Sequence, residues 1–262
     1  MGILSVGILH GANDLLIINR FTSATAKHSF VYYFILYIGV VFLVALMFYM
    51  VPAFGLGFFI LFSGYHFGEQ HWENKVLASS NPMLLTMYGL VVFFLLFTLN
   101  YKAVYPVIEA ICGYTLSYDY FFWPLMVMSL TVLIWMLSTK QRIYLFQELL
   151  LFSVLALLFY SGELLLSFGY YFVFWHSIPS LRSQVKYLYN TQQSSGFKTY
   201  FKKGLPYWIL ALAGLIFFFT FTNLNADYIL PLFFIFLGAI TFPHAVVMGL
   251  MFKDKRSSST QE

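Results

Sequence analysis

Charged residues and cysteine are what this sequence has least of. Only 9% of its 262 residues are Asp, Glu, Lys or Arg, whereas a soluble domain has roughly 25% charged residues. A chain this poor in charge is not expected to keep a water-exposed surface and fits a protein solvated mainly by lipid. Cys112 is the single cysteine, which excludes a disulfide or a thiolate metal cluster within these residues. A metal site would therefore rest on His, Asp or Glu.

The residues that are present indicate a membrane protein. Hydrophobic residues make up 61% and aromatic residues 22% of the sequence, and the mean hydropathy is +0.80. The formal charge of +4 comes from short basic clusters between apolar runs. Such clusters are typical of topology signals in the loops of a membrane protein and predict no nucleic-acid partner.

Apolar segments bounded by charges, Pro and Asn predict an all-α, polytopic transmembrane bundle of about nine spans. The first segment has no basic n-region and no small-residue cleavage site, so we interpret it as a retained span rather than a signal peptide. Residues 101–119 are too polar for an easy span and predict a re-entrant or interfacial helix. The predicted spans are 3–18, 30–51, 53–71, 82–100, 120–138, 144–160, 164–181, 205–223 and 228–250.

The distribution of Lys and Arg predicts the orientation. With nine spans and the N-terminus outside, nearly all basic residues fall in loops on the inner side, where the positive-inside rule expects them. The C-terminus is then inside. We expect residues 1–252 to form a single integral membrane domain, and residues 253–262 to form a polar cytoplasmic tail.

Four histidines within the predicted spans share one depth. His10, His66, His176 and His244 lie six to ten residues from the nearest inside Arg or Lys, which places them roughly 9–15 Å below the cytoplasmic face at helical rise. Ionisable residues inside a membrane are costly and suggest function. Imidazoles on facing helices can build a metal site in a bundle core, so these four are the predicted ligands.

The two remaining histidines are weaker candidates for a metal site. His71 is four residues from Lys75 and is expected nearer the interface. It is an alternative fourth ligand, but a structural role or a role at the substrate mouth is favoured. His28 follows Lys27 in a polar stretch and is expected to be solvated. Ligand type alone suits Fe, Zn, Cu or Ni equally, so the metal stays open at this point.

Residues near these histidines are candidates for supporting roles. Asp14 lies four residues after His10, on the same helical face, where it can orient that imidazole or a partner. Glu69 stands three residues after His66 and can act in the same way. The alternative for either carboxylate is a helix cap or an ion pair near the interface. Nearby aromatic residues either pack in the membrane or line a channel for a long flat substrate: Tyr65, Phe67, Tyr171, Phe174 and Trp175.

Four short motifs, taken in order, resemble those of the Brp/Blh family of bacterial and archaeal membrane β-carotene 15,15′-dioxygenases. The segment from His10 to Asp14 resembles the HGxxD motif, and Tyr65-His66-Phe67-Gly68-Glu69 resembles the YHFGxxD region. Trp175-His176-Ser177 is similar to the start of WHSxRH, and Pro243-His244 resembles a C-terminal PH. The resemblance covers most of the chain.

The resemblance implies a function and a cofactor. Family members are understood to use histidine-bound Fe(II) and O₂ to cleave the central double bond of β-carotene, giving two molecules of retinal. It implies that His10, His66 and His176 are iron ligands, that Ser177 supports them, and that a carotenoid enters from the lipid bilayer. It also implies the inner (plasma) membrane of a bacterial or archaeal cell, with retinal-binding proteins such as rhodopsins as product acceptors.

One motif departs from the family pattern. Where WHSxRH has its second histidine, this chain has Ser180, preceded by Pro179. The site would then be completed by His244 or His71, or be a three-histidine site with open positions, or the activity would be lost or changed; depth favours His244. The alternative function is a non-catalytic carotenoid-binding, retinal-binding or transport protein that retains the pocket. The HxxxH and HxxHH boxes of membrane desaturases are absent.

Overall fold

The computed structural model describes residues 2–25, 30–73, 75, 81–191, 193–221 and 228–259, and all regular structure in these ranges is helical. The predicted all-α class is therefore confirmed. His28 lies outside the described residues. The α-helices are α1 Ile8–Ala12, α2 Asp14–Thr25, α3 Phe30–Met50, α4 Pro52–Trp72, α5 Pro82–Leu99, α6 Tyr101–Cys112, α7 Asp119–Ser138, α8 Leu145–Ser161, α9 Leu164–Tyr170, α10 Ile178–Tyr189, α11 Ser194–Phe221 and α12 Ile229–Ser259.

The described residues also form two π-helical segments and a 3₁₀ turn of five residues. The first π-helical segment is Ile3–Gly7 and leads into α1, and the second is Tyr171–Ser177 and joins α9 to α10. The 3₁₀ turn Lys140–Tyr144 precedes α8. Two of the predicted spans, 3–18 and 164–181, are thus divided among several short helical pieces.

Five helical stretches in the described part of the chain are long and apolar enough to cross a membrane. They are Phe30–Met50, Pro82–Leu99, Asp119–Ser138, Lys140–Ser161 and Ile229–Lys255. Each coincides with one of the predicted spans, which supports a membrane protein. The count of nine spans and the orientation remain predictions.

The chain divides into two compact units. The first consists of Met1–Val51 with Phe172–Glu262, and the second is Pro52–Tyr171. In the first unit, a buried cluster joins α2, α10 and α12 through side chains such as Ile17, Tyr187 and Met248. Segments far apart in the sequence therefore share one core, because the chain leaves this unit after α3 and returns to it before α10.

Glycines set the packing of α4 against α5 in the second unit. A Cβ atom at Gly68 would lie 1.9 Å from the carbonyl oxygen of Leu85, and one at Gly89 would lie 1.9 Å from that of Gly64. Small residues allow membrane helices to approach this closely. The two helices therefore approach closely on both sides of His66.

Two further stretches bear on the predicted topology. In α6, Val104, Ile108 and Ile111 are buried on one face while Lys102 and Glu109 are exposed, which fits the predicted interfacial helix. Residues 253–259 continue α12, and residues 260–262 lie outside the described part of the chain.

Candidate metal centre

Three buried histidines meet in the first unit. His10, His176 and His244 each offer one ring nitrogen, and these three atoms all lie within 4.8 Å of one another. The ring centroid of His10 is 5.0 Å from that of His176 and 4.7 Å from that of His244. The three residues are 2–5% exposed. Three of the four histidines predicted to share a layer therefore come together.

His10 lies on an irregular stretch of helix. The backbone passes from the first π-helical segment into the five-residue α1 and breaks at Asn13, whose φ of −95° and ψ of 7° are not helical. A helix of five residues is not stable alone, so this stretch depends on tertiary contacts. Asp14 then opens α2, where its negative charge is favourable at the helix N-terminus.

His176 lies in the second π-helical segment. The Ser177 hydroxyl donates to the carbonyl of Phe172 at 2.7 Å, five residues back. Pro179 stands in the first turn of α10, and because it has no N–H it cannot donate a hydrogen bond back to the π-helical segment. The Phe172 ring stacks on His176 with centroids 5.3 Å apart and meets His10 edge-on at 5.7 Å. Phe172 therefore forms an apolar wall beside both imidazoles.

His244 is oriented by a carboxylate from the other end of the chain. Its Nδ1 is 2.8 Å from Oδ1 of Asp14, and Oδ2 of Asp14 accepts a hydrogen bond from the Tyr37 hydroxyl at 2.9 Å. A carboxylate only accepts, so Nδ1 carries the proton and Nε2 keeps the lone pair that a metal needs. Asp14, predicted to support a histidine, thus forms a hydrogen bond with His244 rather than with His10, and Tyr37 bonds its other oxygen.

The donor set fits a metal ion. Imidazole nitrogens bind ions such as Zn²⁺ at about 2.0–2.1 Å, so two of them on one ion lie up to about 4.2 Å apart. The upper limit of 4.8 Å in the structure is only slightly larger. A hydrogen-bonded carboxylate behind one ligand is the usual arrangement around metal-binding histidines. Three protein ligands also leave coordination positions open for reactants.

An apolar cavity of about 500 Å³ adjoins the three histidines. Its walls come from α1, α2, α3, α11, α12 and the two π-helical segments, and His10, His176 and His244 all face it. Phe42 of α3 and Leu210 of α11 line the cavity while being 71% and 69% exposed. The cavity therefore reaches the apolar outer surface of this unit, where lipid would lie.

The second unit holds His66 and Glu69. His66 is fully buried, and Glu69 is 4% exposed and accepts a hydrogen bond from the Tyr65 hydroxyl at 3.0 Å. The three clustered histidines belong to the first unit, so the roles of His66 as a ligand and of Glu69 as its support remain predictions.

His71 belongs to a polar cluster in the second unit. Its Nε2 lies 3.0 Å from both carboxylate oxygens of Glu148 and 2.8 Å from the Tyr88 hydroxyl. Lys75 forms an ion pair with the same carboxylate and lies over the ring of Trp72, 4.1 Å from its centroid. Burial lowers the pKa of Lys75, and hydrogen bonding and charge attraction from Glu148 oppose that shift. This arrangement supports the structural alternative for His71.

The candidate channel residues do not contribute to the described lining of the cavity. Phe67 and Tyr171 are buried against each other in the second unit, with centroids 5.3 Å apart, and Phe174 is 56% exposed. Among the described residues that line the cavity beside the histidines, none is Tyr65, Phe67, Tyr171, Phe174 or Trp175. Their assignment to a substrate channel stays a prediction.

Ser180, where the sequence departs from the family pattern, is fully buried on α10. Its hydroxyl oxygen accepts a hydrogen bond from Nε2 of Gln184 at 3.2 Å. Gln184 in turn contacts the hydroxyl of Tyr200, 2.7 Å from its Oε1. The position of the family histidine is therefore part of a buried polar chain.

Sequence reasoning missed three residues around the site. Tyr37, Gln184 and Tyr200 carry no motif, and a tyrosine is no signal in a chain that has 20 of them. Gln184 bonds Ser180 four residues away, but the other hydrogen-bond partners of these three residues are 16 to 190 residues away in sequence. Only the packing of the helices reveals those partners.

Comparison with known proteins identifies one family. A family model described as Beta-carotene 15,15'-dioxygenase matches residues 1–252. No curated protein and no solved structure matches the chain significantly.

Proposed function

Since this chain belongs to the beta-carotene 15,15'-dioxygenase family, we propose that it cleaves β-carotene or a related carotenoid oxidatively at its central double bond. The reaction consumes one O₂ and converts the two carbons of that bond into the aldehyde carbons of two retinal molecules. The observation that carries the proposal is the meeting of three buried imidazoles beside an apolar cavity.

Iron is the proposed cofactor. His10, His176 and His244 would hold it, with His66 as a further ligand proposed from its motif. When bound, Fe(II) would supply the redox chemistry that lets O₂ react with the double bond. Asp14 keeps the His244 proton on Nδ1, so that Nε2 can bind the ion.

The cavity would bind the polyene. Its apolar walls suit a hydrocarbon dissolved in the bilayer, and its opening near Phe42 and Leu210 offers a lateral route from lipid. Phe172, packed on two of the imidazoles, would keep water away from the reacting bond. A dry site protects reactive species from side reactions.

Expression in a β-carotene-accumulating bacterium tests the proposal. The chain should bleach the orange cells and yield retinal, measured by extraction and chromatography. His10→Ala, His176→Ala and His244→Ala should each leave the cells orange, whereas His28→Ala should bleach them as the parent does. Equal expression of the variants has to be shown in isolated membranes. Orange cells without retinal in the parent strain would reject the assignment for this substrate.

A second experiment separates an enzyme from a carotenoid-binding protein. The protein purified in detergent should contain stoichiometric iron and, under ¹⁸O₂, should place one labelled oxygen in each retinal when the aldehydes are reduced before they exchange with water. Bound carotenoid with no iron and no retinal would favour the non-catalytic alternative instead.

A further inference from the structure

One face of α11 docks on the irregular N-terminal stretch that carries His10. Tyr200, Gly204 and Trp208 follow one another at intervals of four residues, so they share a face of the helix. The Tyr200 hydroxyl donates to the carbonyl of His10 at 3.1 Å, and Nε1 of Trp208 donates to the carbonyl of Leu4 at 2.8 Å. We call these three residues the α11 clamp.

Gly204 allows α11 to lie close to the break between α1 and α2. A Cβ atom at this position would lie 2.4 Å from Nδ2 of Asn13, so a larger residue would require the Asn13 amide to move. Asn13 is fully buried, and its backbone ends α1. The α11 helix therefore contacts the chain immediately after the His10 turn.

The bond from Tyr200 satisfies a main-chain carbonyl group at the end of a helix. Carbonyl groups in the last turn of a helix lack the amide partner that a longer helix would supply, and His10 stands in the last turn of α1. An unsatisfied buried carbonyl is costly. The Tyr200 hydroxyl, 1% exposed, supplies the donor.

Gln184 bonds the Tyr200 hydroxyl and is itself bonded to Ser180. The hydroxyl has one proton and lies near two acceptors, the His10 carbonyl and Oε1 of Gln184. If the Gln184 amide is turned by half a turn, Ser180 would donate to its oxygen and its nitrogen would donate to the Tyr200 oxygen. The single proton of the Tyr200 hydroxyl is then left for the His10 carbonyl. Serine is smaller than histidine, and its hydroxyl group can donate and accept through a single atom.

We propose that Tyr200 is a positioning residue for the metal centre: its hydroxyl, seated on Gln184 and Ser180, fixes the main chain of His10 and so the direction from which the imidazole reaches the ion. This inference rests on the proposed function, because it assumes that His10 binds a metal. It also gives Ser180, where the chain departs from the family motif, an indirect role in positioning a metal ligand.

Binding of Co²⁺ to the full-length protein in detergent tests the inference. Co²⁺ is the probe because its visible absorption band reports coordination geometry as well as occupancy. Tyr200→Phe removes only the hydroxyl and should weaken Co²⁺ binding by about 10–100-fold, as loss of groups behind metal ligands usually does, and should change the band. The matched control is Tyr189→Phe, because Tyr189 packs on the same cluster as Tyr200 and its hydroxyl has no hydrogen-bond partner among the described residues.

A purely structural role for Tyr200 makes a different prediction. It would lower the thermal midpoint of the metal-free protein while leaving the Co²⁺ affinity and spectrum of the folded fraction unchanged, and this result would overturn the inference. If Tyr200→Phe fails to fold, Gln184→Leu is the second variant, because it removes the amide that bonds the Tyr200 hydroxyl. Gln184→Leu should also weaken Co²⁺ binding. Parental Co²⁺ affinity and spectrum in Gln184→Leu would likewise overturn the inference. A parent protein that binds neither Co²⁺ nor Fe²⁺ would instead refute the metal centre of the proposed function.

Discussion

The bond between Asp14 and His244 leads to a prediction that separates charge from hydrogen bonding. The two oxygens of Asp14 each accept one bond, from Nδ1 of His244 at 2.8 Å and from the Tyr37 hydroxyl at 2.9 Å. In Asp14→Asn, the amide oxygen can still accept from His244, and the amide nitrogen can donate to the Tyr37 oxygen. The substitution therefore keeps the shape and the bond to His244, reverses the direction of the bond to Tyr37, and removes the negative charge next to the ligand.

The expected magnitudes follow from this geometry. Loss of the charge should weaken metal binding by about 10–100-fold, which is about 1.4–2.7 kcal/mol. Asp14→Ala should do more, because it leaves two buried donors without an acceptor, at a cost of about 1–3 kcal/mol each in the free energy of unfolding. Asp14→Asn is expected to keep most of its stability, and Asp14→Ala is expected to lose it.

Fe²⁺ or Co²⁺ titration and chemical unfolding of the detergent-solubilised variants check both expectations. Asp119→Asn is the matched control, since Asp119 is an exposed carboxylate at the start of α7. Parental metal affinity in Asp14→Asn would refute the role of the charge. Parental stability in Asp14→Ala would refute the claim that the buried bonds matter.

Three further predictions concern the cavity, the helix packing and pH. Gly214 lines the cavity, and a Cβ atom at this position would meet open space. Gly214→Leu should therefore obstruct the cavity and lower retinal formation while the metal content stays unchanged. The control is Gly39→Leu, which should retain activity because Gly39 also has open space around it but does not line the cavity. Gly68→Ala places a Cβ 1.9 Å from a backbone oxygen of α5 and should lower the free energy of unfolding by about 1–3 kcal/mol or more, against a near-neutral Gly39→Ala. Burial, aided by Asp254, raises the pKa of Tyr187 to about 12, so the stability that its protonated form contributes is complete below about pH 10 and is lost as the pH rises through about 12. Unfolding midpoints of Tyr187→Phe should fall less than those of the parent across that range; equal slopes would contradict the assignment.

Local composition was enough to predict the class of this protein. Long apolar runs with few charges predict membrane helices wherever they occur, since the transfer of an apolar helix into lipid depends mainly on its own length and composition. The four histidine motifs are likewise contiguous, so the resemblance to a carotenoid-cleaving family could be read from the residues alone, and the family match bears it out.

Distance from the basic loops predicted one coordinate of the site, its depth along the membrane normal. It could not predict the rotation of each helix or the order of the helices around the centre. The clustering of His10, His176 and His244, with His66 in the other unit, therefore had to come from the structure. The number of spans was also uncertain from hydropathy, because π-helical segments and the break at Asn13 interrupt stretches that composition alone joins together.

The sequence by itself indicated the membrane class and the family, and it predicted imidazole ligands for a metal, because these inferences depend on which residues stand close together along the chain. Only the tertiary structure decided that Asp14 supports His244 across 230 residues and that Tyr200 holds His10 across 190. Such pairs depend on the packing of whole helices, whose energy is spread over many apolar contacts and leaves no local pattern. The histidines could thus be found as candidates in the sequence, whereas the residues that hold them in place could be found only in the fold.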